Sequence, residues 1–484
     1  MTPDRRPNEL THRHSRIRFD VKELLRRPYA SRGIPAAVLL FSAALLLANR
    51  LHLYLCSRIP GIACIPSWPV SLVFARVPPQ IGYPNPLHIA TGIASLLLLL
   101  LALRLLARAN YSPQLVTVFG IALILATTLT HGWQFGLTRA AAGLGNMPQD
   151  YYQDALQISG PLEFLRGFTD RQPDLAIHSK THPPGAVLTF FLLQRLVHDP
   201  AIITIAIAAL ASILTALVLV KLLAVVHDCS IAGRTLFLYF LIPSVQIYYA
   251  ASLDALIAPL VLGSCVILFS NSPKWWVASV LCLLSASFLS FGALFVLPVV
   301  AVFEVWQHRR PWRTLLLAAC LLLFYAALNT AFGFNYLRSF AIASGLENPD
   351  GFRLLAEPAN YLMTRVEDVA EVVLFFGPFL SLILLSAVLE TGARSPLNRL
   401  SLVACGSFLL VLPDWGLSNR RDRACGAVYG SLPRASHRRE DRQHGFRRWG
   451  FPEACCRRLP PGARHAACGR LLVVSAARRA EVAP

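Results

Sequence analysis

Along most of the chain, apolar runs of roughly 15–25 residues alternate with shorter polar stretches. The runs are Ile34–Leu53, Leu87–Leu106, Leu115–Gly132, Ile202–Leu222, Thr235–Leu253, Ala255–Phe269, Trp276–Val302, Thr314–Ala331, Val369–Leu389 and Leu400–Leu412. Each is continuously apolar, whereas a membrane barrel strand would alternate over about ten residues. Helices are therefore predicted, because a helix satisfies its own backbone hydrogen bonds inside lipid. The stretch Pro184–Val197 is also apolar, but about fourteen residues suit a short or re-entrant helix better than a crossing. The expected fold is an all-α polytopic transmembrane helical bundle of about ten to eleven spans, with its chemistry in the polar loops.

Composition narrows the class. Hydrophobic residues make up 55% of the 484 and charged residues only 15%, which excludes a soluble enzyme, a disordered chain and a disulfide scaffold. The eleven Cys are scattered without C-x-x-C or metal-ligand spacing and are read mostly as small apolar packing residues. Only four of the 45 basic residues are Lys, a skew that points to a GC-rich, bacterial coding sequence.

The formal charge of +19 is unevenly placed. Residues 1–33 carry nine Lys/Arg and four acids ahead of the first apolar run, so the positive-inside rule puts this N-terminal segment in the cytoplasm and the chain in the bacterial inner membrane. Arg104 and Arg108, the group His308, Arg309, Arg310 and Arg313, and the pair Arg394 and Arg399 read as further cytoplasmic loops. A transmembrane domain over 34–413 then has Cys56–Asn85, Trp133–Pro183 and Gly333–Asp368 on the outer face. Two arrangements satisfy this. Either Pro184–Val197 does not cross and Trp276–Val302 breaks near Ser290–Gly292 into two spans, or the former crosses and the latter is one span. The side of Lys221–Arg234 and Asp254 differs between them.

Candidate chemistry is concentrated between Gly143 and Leu193, a polar loop of about fifty residues leading into an apolar helix. Its first cluster is Asp150-Tyr151-Tyr152-Gln153-Asp154. The two carboxylates share a face if Tyr151–Ile158 is helical. A carboxylate at the lip of an apolar cavity has a raised pKa and suits a general base, while the plain alternative is that Asp150 caps the short helix after it. The second cluster is His178-Ser179-Lys180-Thr181-His182-Pro183-Pro184-Gly185. Cationic and donor groups beside a helix start suit a phosphate; the alternative is an interfacial loop with a snorkelling Lys.

An acidic residue with Tyr nearby in an outer loop, then about thirty residues, then His-Pro-Pro before an apolar helix, resembles the GT-C membrane glycosyltransferases, most closely glycosyltransferase family 39. The likeness covers about residues 90–420 and is most specific over Asp150–Gly185. It implies inverting transfer of a sugar from a polyprenyl-phosphate carrier to an acceptor on the extracytoplasmic face. It also implies Asp150 as the catalytic carboxylate with Asp154 as substitute. The chemistry of the two clusters and of Arg338 makes Tyr151, Tyr152, His178, Lys180, His182 and Arg338 the candidate substrate-binding residues beside them. The chain departs from the family in reading Gln149-Asp150-Tyr151 where an Asp-Glu pair is usual, and in carrying this loop after its third span. No metal-ligand cluster argues for a cofactor; the lipid-linked sugar is a cosubstrate and metal dependence stays open.

Elsewhere, Asp254 follows Tyr248 and Tyr249 at a span boundary, as a functional acid or as an interfacial residue. In the loop 333–368, Arg338 is the residue best suited to bidentate phosphate binding. The rival from another class is a non-catalytic transporter or flippase of lipid-linked substrates; a nucleic-acid partner rests on the basic tail alone and is not expected. That tail, 420–484, holds fifteen Arg, no Lys and four Cys without sustained periodicity, and is read as disordered. It resembles the translation of a shifted frame, which would leave the last helices of such a protein unmade and the enzyme inactive. The rival reading is a genuine basic tail.

Overall fold

The computed structural model describes residues 28–58, 68–69, 86–143, 151–226, 229–250, 252–347, 354, 357–391 and 396–411. Asp150 and the segment 412–484, with the tail expected to be disordered, lie outside them. Among the described residues the regular structure is entirely helical. Ten of the helices begin on a Pro, whose missing N–H costs nothing at the first helical position and whose fixed φ suits it. This is how a chain with 33 Pro stays helical.

Helices α1 (Pro28–Arg58), α2 (Pro86–Arg108) and α3 (Pro113–Thr128) come first, followed across the polar loop by α4 (Tyr151–Gln157), α5 (Pro161–Arg171) and α6 (Gly185–Leu196). Then come α7 (Pro200–Val226), α8 (Cys229–Phe240), α9 (Pro243–Tyr248), α10 (Asp254–Ser264), α11 (Pro273–Leu289), α12 (Val296–His308) and α13 (Trp312–Phe332). The last are α14 (Tyr336–Glu347), α15 (Pro358–Phe376), α16 (Pro378–Thr391) and α17 (Pro396–Val411).

Among the described residues, six helices are long and apolar enough to cross a membrane, or seven if α15 with the start of α16 is one bent span. The expected ten to eleven is therefore reduced at this level, because several apolar runs are cut by helix breakers into pieces shorter than a bilayer needs. Thr235–Leu253 is interrupted after Phe240 and restarts at Pro243. Val369–Leu389 is bent by 94° at Gly377, whose φ of +100° a side chain would strain and which is followed by a Pro. Large side chains remain outward on the long helices, such as Leu47 on α1 and Leu323 on α13, each 70% exposed, as lipid-facing surfaces require. The chain is a multi-pass helical membrane protein.

The run Trp276–Val302 is two antiparallel helices. Ser290 leaves the helix with an extended backbone, its hydroxyl accepts the Gly292 N–H, and a tight turn over Phe291–Phe295 leads into α12. Phe269 meets Phe303, Trp276 meets Trp312 and Arg313 donates to the Leu268 carbonyl, so α12 ends where α11 begins. Lys221 over Trp275 puts the end of α7 there too, and Arg399 donates to Gln307 at the same place. At the other end, Tyr336 stacks on Tyr325 and donates to the Ser287 carbonyl. The bundle thus has a basic end, around 308–313, and a loop end, around 151–184 and 333–347.

Candidate functional site

The loop end is built on α4, α5 and α6. Pro183 and Pro184 start α6, and Gly185 lies so close to the Phe288 carbonyl at the end of α11 that a side chain there would collide with backbone. That contact fixes the His178–Pro184 segment against the bundle. α4 packs on α6 through Tyr151, whose ring stacks on Phe190 at 5.9 Å and receives the His182 ring edge-on at 5.5 Å. His178 flanks the same Tyr ring at 6.4 Å. Tyr151, His178 and His182, separate in sequence, form one aromatic group.

His182 is oriented by its own chain. Its Nδ1 is 2.9 Å from the His178 carbonyl, an acceptor, so Nδ1 carries the proton and the neutral ring keeps its lone pair on Nε2. Burial holds the imidazole below its ordinary range; the His178 carbonyl and the charge of Asp254 oppose that without reversing it. Asp254 acts on His182 through its charge, which puts the start of α10 at the loop end. Asp254 is exposed and accepts from the Ser252 hydroxyl at 2.8 Å.

Lys180 is half-buried. Its peptide N–H donates to the Ala176 carbonyl and its own carbonyl accepts from Gln172, but its ammonium has no ion-pair partner among the described residues. Beside it, Ser179 is fully buried with its hydroxyl unpartnered among the described residues. Asp154 is 8% exposed and accepts the Ala176 N–H at 3.0 Å, so its carboxylate ties α4 to the segment carrying His178 and Lys180. Tyr152 is buried, gives its carbonyl to Gln194 at 2.9 Å, and burial together with Asp199 keeps its phenol protonated. Asp154 and Tyr152 thus turn inward, while Tyr151, His178 and His182 stand together and Lys180 lies between the two His in the chain.

The second loop joins the first through residues that sequence reasoning did not select. Gln172, fully buried, donates to the Lys180 and Ser339 carbonyls at 2.9 and 3.0 Å and accepts from the Ser339 hydroxyl at 2.9 Å. A Gln in a polar loop carries no periodic signal, and only the fold makes it the link between the 180 segment and α14. Arg338 sits on α14, whose start Asn335 caps by accepting the Arg338 N–H. Its guanidinium reaches Asp170 at 3.3 Å, with both side chains mostly exposed, so the pair bridges the two loops at their surface and contributes little stability.

Among the described residues no three His, Cys, Asp or Glu side chains converge to hold a metal ion. What the cluster offers is a cation without a counter-charge, a neutral imidazole acceptor and an aromatic wall, all over apolar helices. No family model matches the chain, and no curated protein or solved structure matches it.

Proposed function

We propose that the chain is a GT-C-like membrane glycosyltransferase that moves a sugar from a polyprenyl-phosphate carrier to an acceptor on the extracytoplasmic face, with inversion. The observation that carries the reading is Lys180: a half-buried residue whose ammonium has no acid partner among the described residues, at the loop end of an apolar bundle, in the segment that sets His178 and His182 on Tyr151. Leaving such a charge uncompensated is costly unless an anion completes it. A lipid-linked phosphate fits, with its chain along the helices and its head at the loops.

In this mechanism Asp150, next to Tyr151 in the chain, takes the proton of the acceptor hydroxyl as the oxygen attacks the anomeric carbon. The bond from that carbon to the carrier phosphate breaks, and the phosphate leaves with the electron pair. Lys180 stabilises the charge that develops on it, and the Nε2 lone pair of His182 accepts from a sugar hydroxyl. Asp154 is a positioning residue. Arg338, held by Asp170, is a second cation near the loop surface. The face is supported by Cys56, which is disulfide-bonded at the end of α1 and not a packing thiol, as expected of an extracytoplasmic position in a bacterial inner-membrane protein whose N-terminus is cytoplasmic. Ten to eleven crossings follow if the shorter apolar helices, such as α10 and α11, also cross.

A second reading has its own support. The Gly377 bend, Pro259 inside α10, and the interior chain Thr215–Tyr249–Tyr239, with hydroxyl contacts of 2.7 and 2.8 Å, are features a transporter or flippase of lipid-linked substrates would use. The deciding experiment incubates purified full-length protein with radiolabelled polyprenyl-phosphate sugars. Transfer or hydrolysis that Asp150→Asn abolishes supports the enzyme. Retention of the lipid without turnover, equal in wild type and variant, supports the transporter. For the face, Cys introduced at Lys180 and Arg338 should react with an impermeant maleimide in intact cells, and Cys at Arg310 only after permeabilisation.

A further inference from the structure

At the basic end, Leu268, Phe269, Asn271, Phe303, His308 and Arg313 line a cavity of about 210 Å³. Its lining is two-sided, with Phe269, Phe303 and Leu268 apolar and Asn271, His308 and Arg313 polar. Arg313 is the central group. One terminal nitrogen donates to the Leu268 carbonyl at 2.6 Å and the other to Asn271 Oδ1 at 2.9 Å, both neutral acceptors, while its Nε is buried without a partner among the described residues. The nearby acid, Glu304, is fully buried, and its two oxygens already accept the Arg313 and Thr314 N–H groups and the Thr314 hydroxyl. The guanidinium therefore has no carboxylate partner among the described residues.

More cations lie close by in the chain or the fold: Arg309 and Arg310 follow His308, and Arg399 donates to Gln307 at 2.7 Å. The Trp276–Trp312 pair, 4.9 Å apart, marks the level at which amphipathic rings sit in a membrane interface. This end is about 30 Å from the candidate transfer site, the length of α13.

We propose that this cavity binds the phosphodiester headgroup of an acidic phospholipid, with an acyl chain against the partly exposed Phe269. A basic pocket between membrane helices has this chemistry, and a lipid supplies both the anion and the apolar part that the lining calls for. The proposal needs only a membrane-embedded chain and is independent of glycosyl transfer.

The test is native mass spectrometry of the full-length protein in detergent with equimolar phosphatidylglycerol and phosphatidylcholine, with and without millimolar inorganic phosphate. Phosphatidylglycerol should be retained in preference. Each basic residue at a membrane surface changes acidic-lipid affinity by about fivefold, so Arg313→Gln should lower the preference by at least that much. His308→Glu, an exposed site whose change leaves every Arg313 hydrogen bond in place, should do the same and keeps the test valid if Arg313→Gln does not fold. Equal retention of the two lipids, or a preference unchanged in His308→Glu, overturns the proposal. Displacement of the lipid by inorganic phosphate alone also overturns it, and assigns the cavity to a free anion.

Discussion

Two charged side chains near opposite ends of α13, Glu304 and Lys180, are treated in opposite ways. At the Trp312 end, Glu304 is fully buried and its carboxylate accepts three donors from the first turn of the helix, an arrangement that closes on itself. At the Gly333 end, across the Gln172–Ser339 link, Lys180 has no carboxylate among the described residues and His182 is held neutral by burial. A buried polar group with all its partners supplied by the protein is there for the fold. A polar group left incomplete beside an aromatic wall is there for something the fold does not contain. By that measure Asp154, satisfied by Ala176, belongs with Glu304, and Lys180 belongs with the site.

The largest effect is expected at Asp150. Its change to Asn should lower sugar transfer about a thousandfold with unfolding unaltered, since the amide keeps the shape but cannot take a proton. Transfer near the wild-type rate would remove the catalytic role. At the other end, Glu304→Ala strands three donors and should cost about 3 kcal/mol in thermal or denaturant unfolding. A loss below about 0.5 kcal/mol would mean that water enters the helix start and that the two ends are not so different.

Lys180→Met tests the incomplete end. It should lower transfer roughly a hundredfold while changing stability by under about 0.5 kcal/mol, because no protein partner is lost. A large stability loss with little effect on transfer would place Lys180 with Glu304. The smallest effect concerns acid. The folded-state pKa of His182 lies below its unfolded value near 6.5, so the unfolded chain binds the proton first. Its contribution to stability is complete above about pH 6.5 and declines as the pH falls toward the folded-state value. His182→Gln should flatten that decline in a pH series of unfolding midpoints, and an unchanged slope would show that the ring is not held neutral.

Helical membrane character was legible in the sequence because lipid leaves little choice: a continuous apolar run must satisfy its own backbone, and helix is the form that does so locally. The start of α10 at Asp254 was legible for a related reason, since an acidic residue begins a helix through contacts with near neighbours; the break near Ser290 was one of two open readings, and the fold decides for it. The clusters 150–154 and 178–185 were picked out by their polar residues, but that His178 and His182 meet on Tyr151 was not, because the two segments come together only through packing on α6. The span count was not, because whether an apolar run bends at Gly377 or restarts at Pro243 depends on what packs around the breaker. Nor were the side of Asp254, the inward turn of Asp154 toward Ala176, and the role of Gln172, which joins segments 167 residues apart at Ser339. Local chemistry decides where helices start and stop. Which polar groups are completed and which are left open is decided by long-range packing, because the partners come from distant parts of the chain.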